Sequence, residues 1–153
     1  MPTVRQTESR SEPRTVARGD ELQMIVPLPL RVAAVLLWIS GIGFGVFCIP
    51  AIRNLLTGRD IPYVMGFTAY GRGPFERVGL QTTVPLLAAF LIVCILELVG
   101  GYLLWGGHKS GAILALVLLL PGAFFWWGFA LPFGWLFALL RTVLIVLGWQ
   151  SLS

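Results

Sequence analysis

The chain has 153 residues and a formal net charge of +4 at pH 7, and 57% of its residues are hydrophobic whereas only 12% are charged. Soluble domains usually carry about 25% charged residues, so this composition excludes an ordinary water-soluble domain. The arginines are scattered along the chain, which argues against a nucleic-acid-binding protein.

The first thirty residues form a polar segment without an apolar period. Its charges balance, and they are Arg5, Glu8, Arg10, Glu12, Arg14, Arg18, Asp20 and Glu21. A segment of this composition buries too little apolar surface to fold, so we predict a disordered tail over residues 1–30. The first apolar run begins too late, and is too long, for a cleavable signal peptide.

Long apolar blocks follow the tail, and a membrane-spanning helix needs about 20 such residues. The last block, residues 111–149, is nearly twice that length and contains the helix-breaking segment Ala130–Gly134, so we divide it in two. The Leu, Val and Ala runs lack the alternation of a β-barrel. We therefore predict an all-α integral membrane four-helix bundle over residues 31–150. Its spans are 31–56, 84–105, 111–129 and 133–149.

Lysine and arginine near short loops set the orientation of a membrane protein. The tail arginines, Arg31 and Lys109 would lie on one side, and the other side would hold Arg53, Arg59, Arg72 and Arg77. Six cationic residues against four favour cytoplasmic N- and C-termini, because an even number of spans returns the chain to its starting side.

Small residues and prolines predict details of helix packing. Gly41 and Gly45 lie four residues apart, a spacing that permits close approach of a second helix. Pro50 and Pro121 predict kinks in the first and third spans. The short turn at 106–110 predicts that the second and third spans are antiparallel neighbours.

The long connection at residues 57–83 is rich in glycine and aromatic residues, so it is unlike a solvated linker. Loops of this length in small domains are often functional or pack on themselves. Two interpretations are open: a cap over the end of the bundle, or a lid that binds a ligand. The candidate lid residues are Arg59, Asp60, Tyr63, Tyr70, Arg72, Glu76 and Arg77.

Two charged residues lie within predicted spans. Glu97 is eight residues before Trp105, and Arg141 is eight residues before Trp149. At 1.5 Å rise per residue, both lie about 12 Å from the same end of the bundle. Charges within a span usually face the interior and pair with one another, so we predict a Glu97–Arg141 contact. The pair either fixes how the fourth helix docks on the second or forms a polar site for a small ligand or a proton.

Other chemistry-bearing residues are isolated. Cys48 and Cys94 lie in separate spans without a CxxC spacing, so we interpret them as buried, inert thiols. His108 is the single histidine, and no cluster has metal-ligand spacing. No catalytic triad order, phosphate loop or dinucleotide fingerprint is present. The sequence therefore predicts no metal, no cofactor and no catalytic residue, and it favours a protein that is not an enzyme.

The segment ELVGGYLLWGG, residues 97–107, is followed by a basic turn and by GAILAL at 111–116. This pattern resembles the DoxX-like membrane proteins, whose second span carries a glutamate followed by glycine and leucine and leads through a short turn into a third span rich in small residues. The resemblance covers residues 96–116 by motif and 31–148 by helix layout. Glu97, Gly100 and Gly101 are the positions that match the motif.

The resemblance implies a small protein of the bacterial plasma (inner) membrane, and some DoxX-like proteins are linked to quinone or thiosulfate redox and oxidative-stress complexes. Two functions are open: a non-enzymatic subunit or partner in a membrane complex, or a redox accessory that binds a lipid or quinone through Glu97, Arg141 and the aromatic loop. Expected partners are the lipid bilayer, other membrane proteins or further copies of the chain, but not nucleic acid.

Overall fold

The structure is a computed structural model that describes residues 26–61, 63–64, 67–68, 70–131 and 133–153; for 63–64 and 67–68 it describes the backbone only. The predicted disorder of residues 1–25 lies outside the described residues. The long helices of the described part are α1 (Leu28–Leu56), α2 (Val84–Trp105), α3 (Lys109–Val117), α4 (Leu119–Gly128) and α5 (Gly134–Gly148), with a 3-10 turn at Trp149–Ser151.

These helices make four segments that are each long and apolar enough to cross a membrane, because α3 and α4 together form one such segment, Lys109–Gly128, and the 3-10 turn extends the last to Gly134–Ser151. The predicted all-helical, four-segment architecture is therefore confirmed at the level of length and composition.

The first helix begins at Leu28, three residues before the predicted start. Pro27 precedes its first turn and Pro29 lies within it, where a proline costs little because the backbone N–H has no intrahelical acceptor. Leu30 is completely buried, in a cluster that also contains Leu104 and Ile145. Residues 28–30 therefore belong to the bundle rather than to the tail, because Leu30 contributes to its core.

The third segment is interrupted at Leu118, between α3 and α4. Pro121 has no N–H to donate to the carbonyl of Val117, so the helical ladder loses one bond at this point. Backbone bonds resume on both sides, from Leu118 N to Leu114 O and from Gly122 N to Leu118 O. By contrast, α1 continues as one helix through Pro50.

The bundle is closed by neighbours that alternate in direction. The α1 helix packs most extensively on α2 and also contacts α5, while α3 follows α2 through the short turn at 106–108. The α4 and α5 helices contact each other, and residues 129–133 connect them along the chain. This arrangement places residue 26, the α2–α3 turn and the last described residues at one end, where Ser153 N donates to Gly107 O.

The core consists of two apolar clusters, one toward each end. The loop-side cluster, near the 57–83 connection, contains Cys48, Ala51, Tyr70, Phe75, Leu87, Phe90, Val93, Cys94, Leu118, Phe125, Trp126, Phe129 and Ala138. The turn-side cluster, near the α2–α3 turn, contains Leu30, Ala33, Ala34, Leu37, Leu104, Ala112, Ala115, Ile145 and Leu152.

Close contact between α1 and α2 depends on two glycines of α1. A Cβ placed on Gly41 would lie 2.8 Å from the carbonyl oxygen of Cys94, and one placed on Gly45 would lie 3.3 Å from the Cys94 Cβ. Small residues four positions apart permit the backbones of two apolar helices to approach this closely.

The glycine pair of α2 lies on two faces of that helix. Gly100 faces α3, where an added Cβ would be at ordinary contact distance, 3.7 Å, from Gly111 O. Gly101 faces α1, where an added Cβ would lie 2.7 Å from Trp38 Nε1. The two positions therefore differ in how well they accept a larger residue. A Cβ at Gly101 would force Trp38 to move, whereas a Cβ at Gly100 would not displace its neighbours.

We expect Gly41→Ala to lower the free energy of unfolding by about 1–3 kcal/mol, because the added methyl meets a backbone carbonyl that cannot rotate away. Gly43→Ala is the matched control on the same helix, since no atom of the described residues lies within 4 Å of its added Cβ. It should be neutral or stabilise the protein by up to about 1 kcal/mol. Denaturant titration in detergent micelles measures both, and equal losses would contradict the packing assigned to Gly41.

The long connection contains short elements that the sequence did not predict. Strands β1 (Tyr63–Val64) and β2 (Phe67–Thr68) pair antiparallel with Tyr63 opposite Thr68. A single helical turn follows at Pro74–Arg77. This turn contacts α4, so the later part of the connection packs on the bundle.

Candidate functional site

The described residues contain one buried ion pair, between Glu97 of α2 and Arg141 of α5. Arg141 Nη1 donates to Glu97 Oε1 at 2.6 Å. Glu97 is 2% exposed and Arg141 is 0% exposed. The predicted contact between these residues is therefore present, and both charges are withdrawn from solvent.

The second carboxylate oxygen is satisfied from α1. Ser40 Oγ donates to Glu97 Oε2 at 2.7 Å and also lies 3.1 Å from Leu37 O. A hydrogen bond to a charged group contributes about 1.5–3 kcal/mol, so Ser40 offsets part of the cost of burying Glu97. Sequence reasoning missed Ser40, although it is the one hydroxyl residue in the apolar part of α1.

Arg141 keeps hydrogen-bonding capacity that nothing in the described part of the chain uses. Its Nε and Nη2 atoms are buried and have no acceptor there. The guanidinium carbon lies 5.5 Å from the centre of the Trp126 ring of α4, which stabilises the cation through the ring face. Arg141 thus contacts a carboxylate and an indole, while the three N–H groups on Nε and Nη2 have no acceptor oxygen among the described residues.

Ser40, Glu97 and Arg141 together form a polar layer between the two apolar clusters. They are the buried polar or charged residues among those described. Along α2, Cys94 of the loop-side cluster precedes Glu97, and Leu104 of the turn-side cluster follows it. Three of the four segments supply the layer directly, and α4 covers it with Trp126, so its geometry specifies how all four are aligned.

Two aromatic residues of the connection turn inward and close the loop-side end. The Tyr70 hydroxyl donates to Phe44 O, and its ring packs edge-on against Phe90 and Phe129, with ring centres 5.6 and 5.1 Å apart. Burial raises the pKa of Tyr70 far above its ordinary value, so this hydroxyl remains a donor. Phe75 is also buried, at 1% exposure.

The charged residues of the connection lie at the surface. Those exposed are Arg59, Asp60, Arg72, Glu76 and Arg77. Glu76 accepts a hydrogen bond from Thr82 Oγ1 at 3.3 Å. The side chain of Tyr63 lies outside the described residues. The structure therefore separates Arg72 and Glu76 from Glu97, because Tyr70 and Phe75 fill the space at the end of the bundle; a ligand-binding role for these residues stays a prediction.

A shallow apolar groove of about 150 Å³ runs between α1 and α2 on the outside of the bundle. Its lining includes Gly41, Gly45, Cys94 and Leu98, but not Glu97. The groove therefore does not lead to the polar layer.

Comparisons with models of known protein families, with curated proteins and with solved structures find no match for this chain. The DoxX-like resemblance accordingly stays a prediction, which depends on residues 96–116 and on the helix layout.

Proposed function

We propose that this chain is a small integral membrane protein of DoxX-like type, which acts as a non-enzymatic subunit or partner in a larger membrane complex. The observation that carries the proposal is the sealing of the Ser40–Glu97–Arg141 layer. A site for a substrate needs an approach to its polar groups, whereas Glu97 and Arg141 are buried among the helices and Trp126, and Tyr70 and Phe75 fill the loop-side end of the bundle.

The outer surface of the bundle supports the same proposal. Large apolar side chains are exposed along every segment, for example Ile39 in α1, Ile95 in α2, Val117 in α3 and Leu139 in α5. A soluble protein rarely exposes apolar patches on this scale, and such faces suit a bilayer or another membrane helix.

The proposed location is the bacterial plasma membrane, with both termini in the cytoplasm. The charge distribution supports this orientation, because Arg31 and Lys109 lie at the turn-side end and the tail arginines precede α1. Single-cysteine labelling of intact cells with an impermeant maleimide tests it. Arg72→Cys should react directly and Lys109→Cys only after permeabilisation; the reverse pattern would invert the orientation.

Insertion and partnership need separate experiments. An inserted protein stays in the membrane pellet during alkaline carbonate extraction, whereas release into the supernatant would contradict insertion. For partnership, photo-crosslinking residues placed at Ile39, Ile95 and Leu139 report what covers each outward face. A discrete protein adduct from one face supports a subunit role, and a crosslinker at the buried Ile145 is the control that should capture nothing. Lipid adducts alone, together with a purified protein that has the mass of a monomer, would contradict the subunit role.

One observation favours the second candidate, a binder of a lipid or quinone with a redox-accessory role. The N–H groups at Nε and Nη2 of Arg141 have no acceptor among the described residues, so they could donate hydrogen bonds to an added oxygen, and quinone and ester carbonyls provide one. Organic extraction of the purified protein tests this. Near-stoichiometric quinone or lipid in the wild type and its loss in Arg141→Gln would support the binder, and equal amounts in both would exclude it.

A further inference from the structure

A stack of aromatic and cationic side chains occupies the turn-side end of the bundle. The guanidinium carbon of Arg31 lies 5.5 Å from the centre of the Trp105 ring. Beneath it, the rings of Trp105 and Trp38 are 5.4 Å apart and tilted by 32°. Arg31 belongs to the first turns of α1, and Trp105 is the last residue of α2. The stack therefore bridges two neighbouring helices where both reach the end of the bundle.

The stack is supported from below by the backbone of α2. Trp38 Nε1 donates to Leu98 O at 3.3 Å, which fixes the orientation of this indole. Gly101 lies directly under it, since a Cβ at this position would be 2.7 Å from Trp38 Nε1. The stack thus runs outward from the backbone of α2, and each group restricts the position of the next. Its order is Gly101, Trp38, Trp105 and Arg31.

Arg31 is exposed and retains its hydrogen-bonding groups. No side-chain hydrogen bond or ion pair engages it among the described residues. A guanidinium that stacks on an aromatic ring keeps its N–H groups directed outward in the ring plane, where they can bind an anionic oxygen in a bidentate manner. Trp105 remains 41% exposed beside it, which gives the cation an amphipathic neighbour.

The charge around this stack is positive. Lys109, at the start of α3, lies at the same end and is exposed. The described acidic residues lie elsewhere, because Asp60 and Glu76 belong to the opposite end and Glu97 is buried in the polar layer. The described part of the turn-side end therefore offers cations without an acidic side chain beside them.

We propose that the Arg31–Trp105 stack is a binding site for the headgroup of an anionic phospholipid. The phosphodiester meets the outward N–H groups of Arg31, the exposed indole of Trp105 lies at headgroup depth, and Lys109 adds attraction to negative lipid. Trp and Arg at helix ends are placed where headgroups lie, and anionic headgroups bind basic residues at this depth. The site rests on the membrane insertion proposed above and does not involve Glu97 or Arg141.

Native mass spectrometry of the protein in detergent, titrated with phosphatidylglycerol or with phosphatidylcholine of the same acyl chains, tests the site. The wild type should bind the anionic lipid more tightly. Arg31→Gln should weaken this binding about five-fold, as expected for one interfacial cation worth about 1 kcal/mol. Arg53→Gln is the matched control, because Arg53 is an exposed arginine at the other end of the same helix and should leave the affinity unchanged.

Two further measurements separate the stack from simple charge. Arg31→Lys keeps the cation but loses the planar fork, so its affinity should lie between those of the wild type and Arg31→Gln, and Trp105→Leu should also weaken binding. Equal affinity in Arg31→Gln and the wild type, or equal losses in Arg31→Gln and Arg53→Gln, would overturn the site. Displacement of the lipid by excess inorganic phosphate would also overturn it, in favour of a free anion. Carbonate extraction reports insertion independently, so failure of the lipid site is distinguishable from failure of the proposed function.

Discussion

Replacing Glu97 by glutamine should lower the free energy of unfolding by about 3–5 kcal/mol, because the change leaves the buried Arg141 cation without its counter-charge. The pair is sealed and short, with Nη1 and Oε1 2.6 Å apart, so water cannot replace the lost carboxylate. Arg141→Gln should cost a similar amount, because among the described residues Glu97 then keeps the Ser40 hydroxyl as its single hydrogen-bond partner. Denaturant titration in detergent micelles, followed by tryptophan fluorescence, gives both values.

The double variant Glu97→Gln/Arg141→Gln decides whether the two losses have one origin. If the ion pair is the shared interaction, the double variant should be no less stable than either single variant, because no uncompensated charge remains. Glu76→Gln is the control, since Glu76 is exposed and should change stability by less than about 0.5 kcal/mol. Strictly additive losses at positions 97 and 141 would show that the residues act separately.

A buried pair can specify helix alignment without adding net stability. Apolar helices slide against one another at small cost, because their side chains meet equivalent apolar neighbours in many registers. The layer formed by Ser40, Glu97 and Arg141 removes that freedom, since a shift of one helical turn would strand two charges in an apolar cluster. The cost of breaking the pair and its role in aligning α1, α2 and α5 therefore follow from one geometry.

The ion pair could be predicted because the depth of each charge in the bundle follows from its position along the sequence. Glu97 and Arg141 each lie eight residues from a tryptophan at the same end of the bundle, and helical rise converts equal counts into equal depths. Ser40 could not be found in this way, because serine is frequent in apolar helices and nothing in its spacing indicates which neighbour it faces. Its role emerges only when the packing of α1 on α2 places its hydroxyl beside Glu97.

The 57–83 connection shows where such counting fails. Its aromatic content predicts that it is not a solvated linker and leaves a cap or a lid open, but it does not predict which rings point inward. Tyr70 and Phe75 enter the core, whereas the nearby Arg72 and Glu76 remain outside. Which side chains point inward depends on the backbone, which takes left-handed φ values of 63° at Tyr70 and 59° at Arg72. Tyrosine and arginine rarely adopt such values, so the residue types at these positions do not predict them.

Phe75→Ala is expected to lower the free energy of unfolding by about 3–5 kcal/mol, which is the usual cost of removing a fully buried phenylalanine ring. The ring contacts Phe124 and Phe129 with centres 4.8 and 5.2 Å apart, and it lies against the backbone of α4 at Gly128. These contacts hold the connection on the bundle against the strained backbone at Tyr70, which costs about 1–3 kcal/mol. Loss of the ring should therefore release the connection.

Release of the connection from the bundle can be measured separately from the loss of stability. Cys48 lies beneath Tyr70 and is completely buried in the loop-side cluster, so its thiol should react slowly with a small maleimide in the wild type and faster in Phe75→Ala under conditions where both proteins are folded. Phe133→Ala is the matched control, because Phe133 is 61% exposed and should alter neither stability nor labelling. Equal effects at the two phenylalanines would contradict the assignment of Phe75 as the residue that anchors the connection to the bundle.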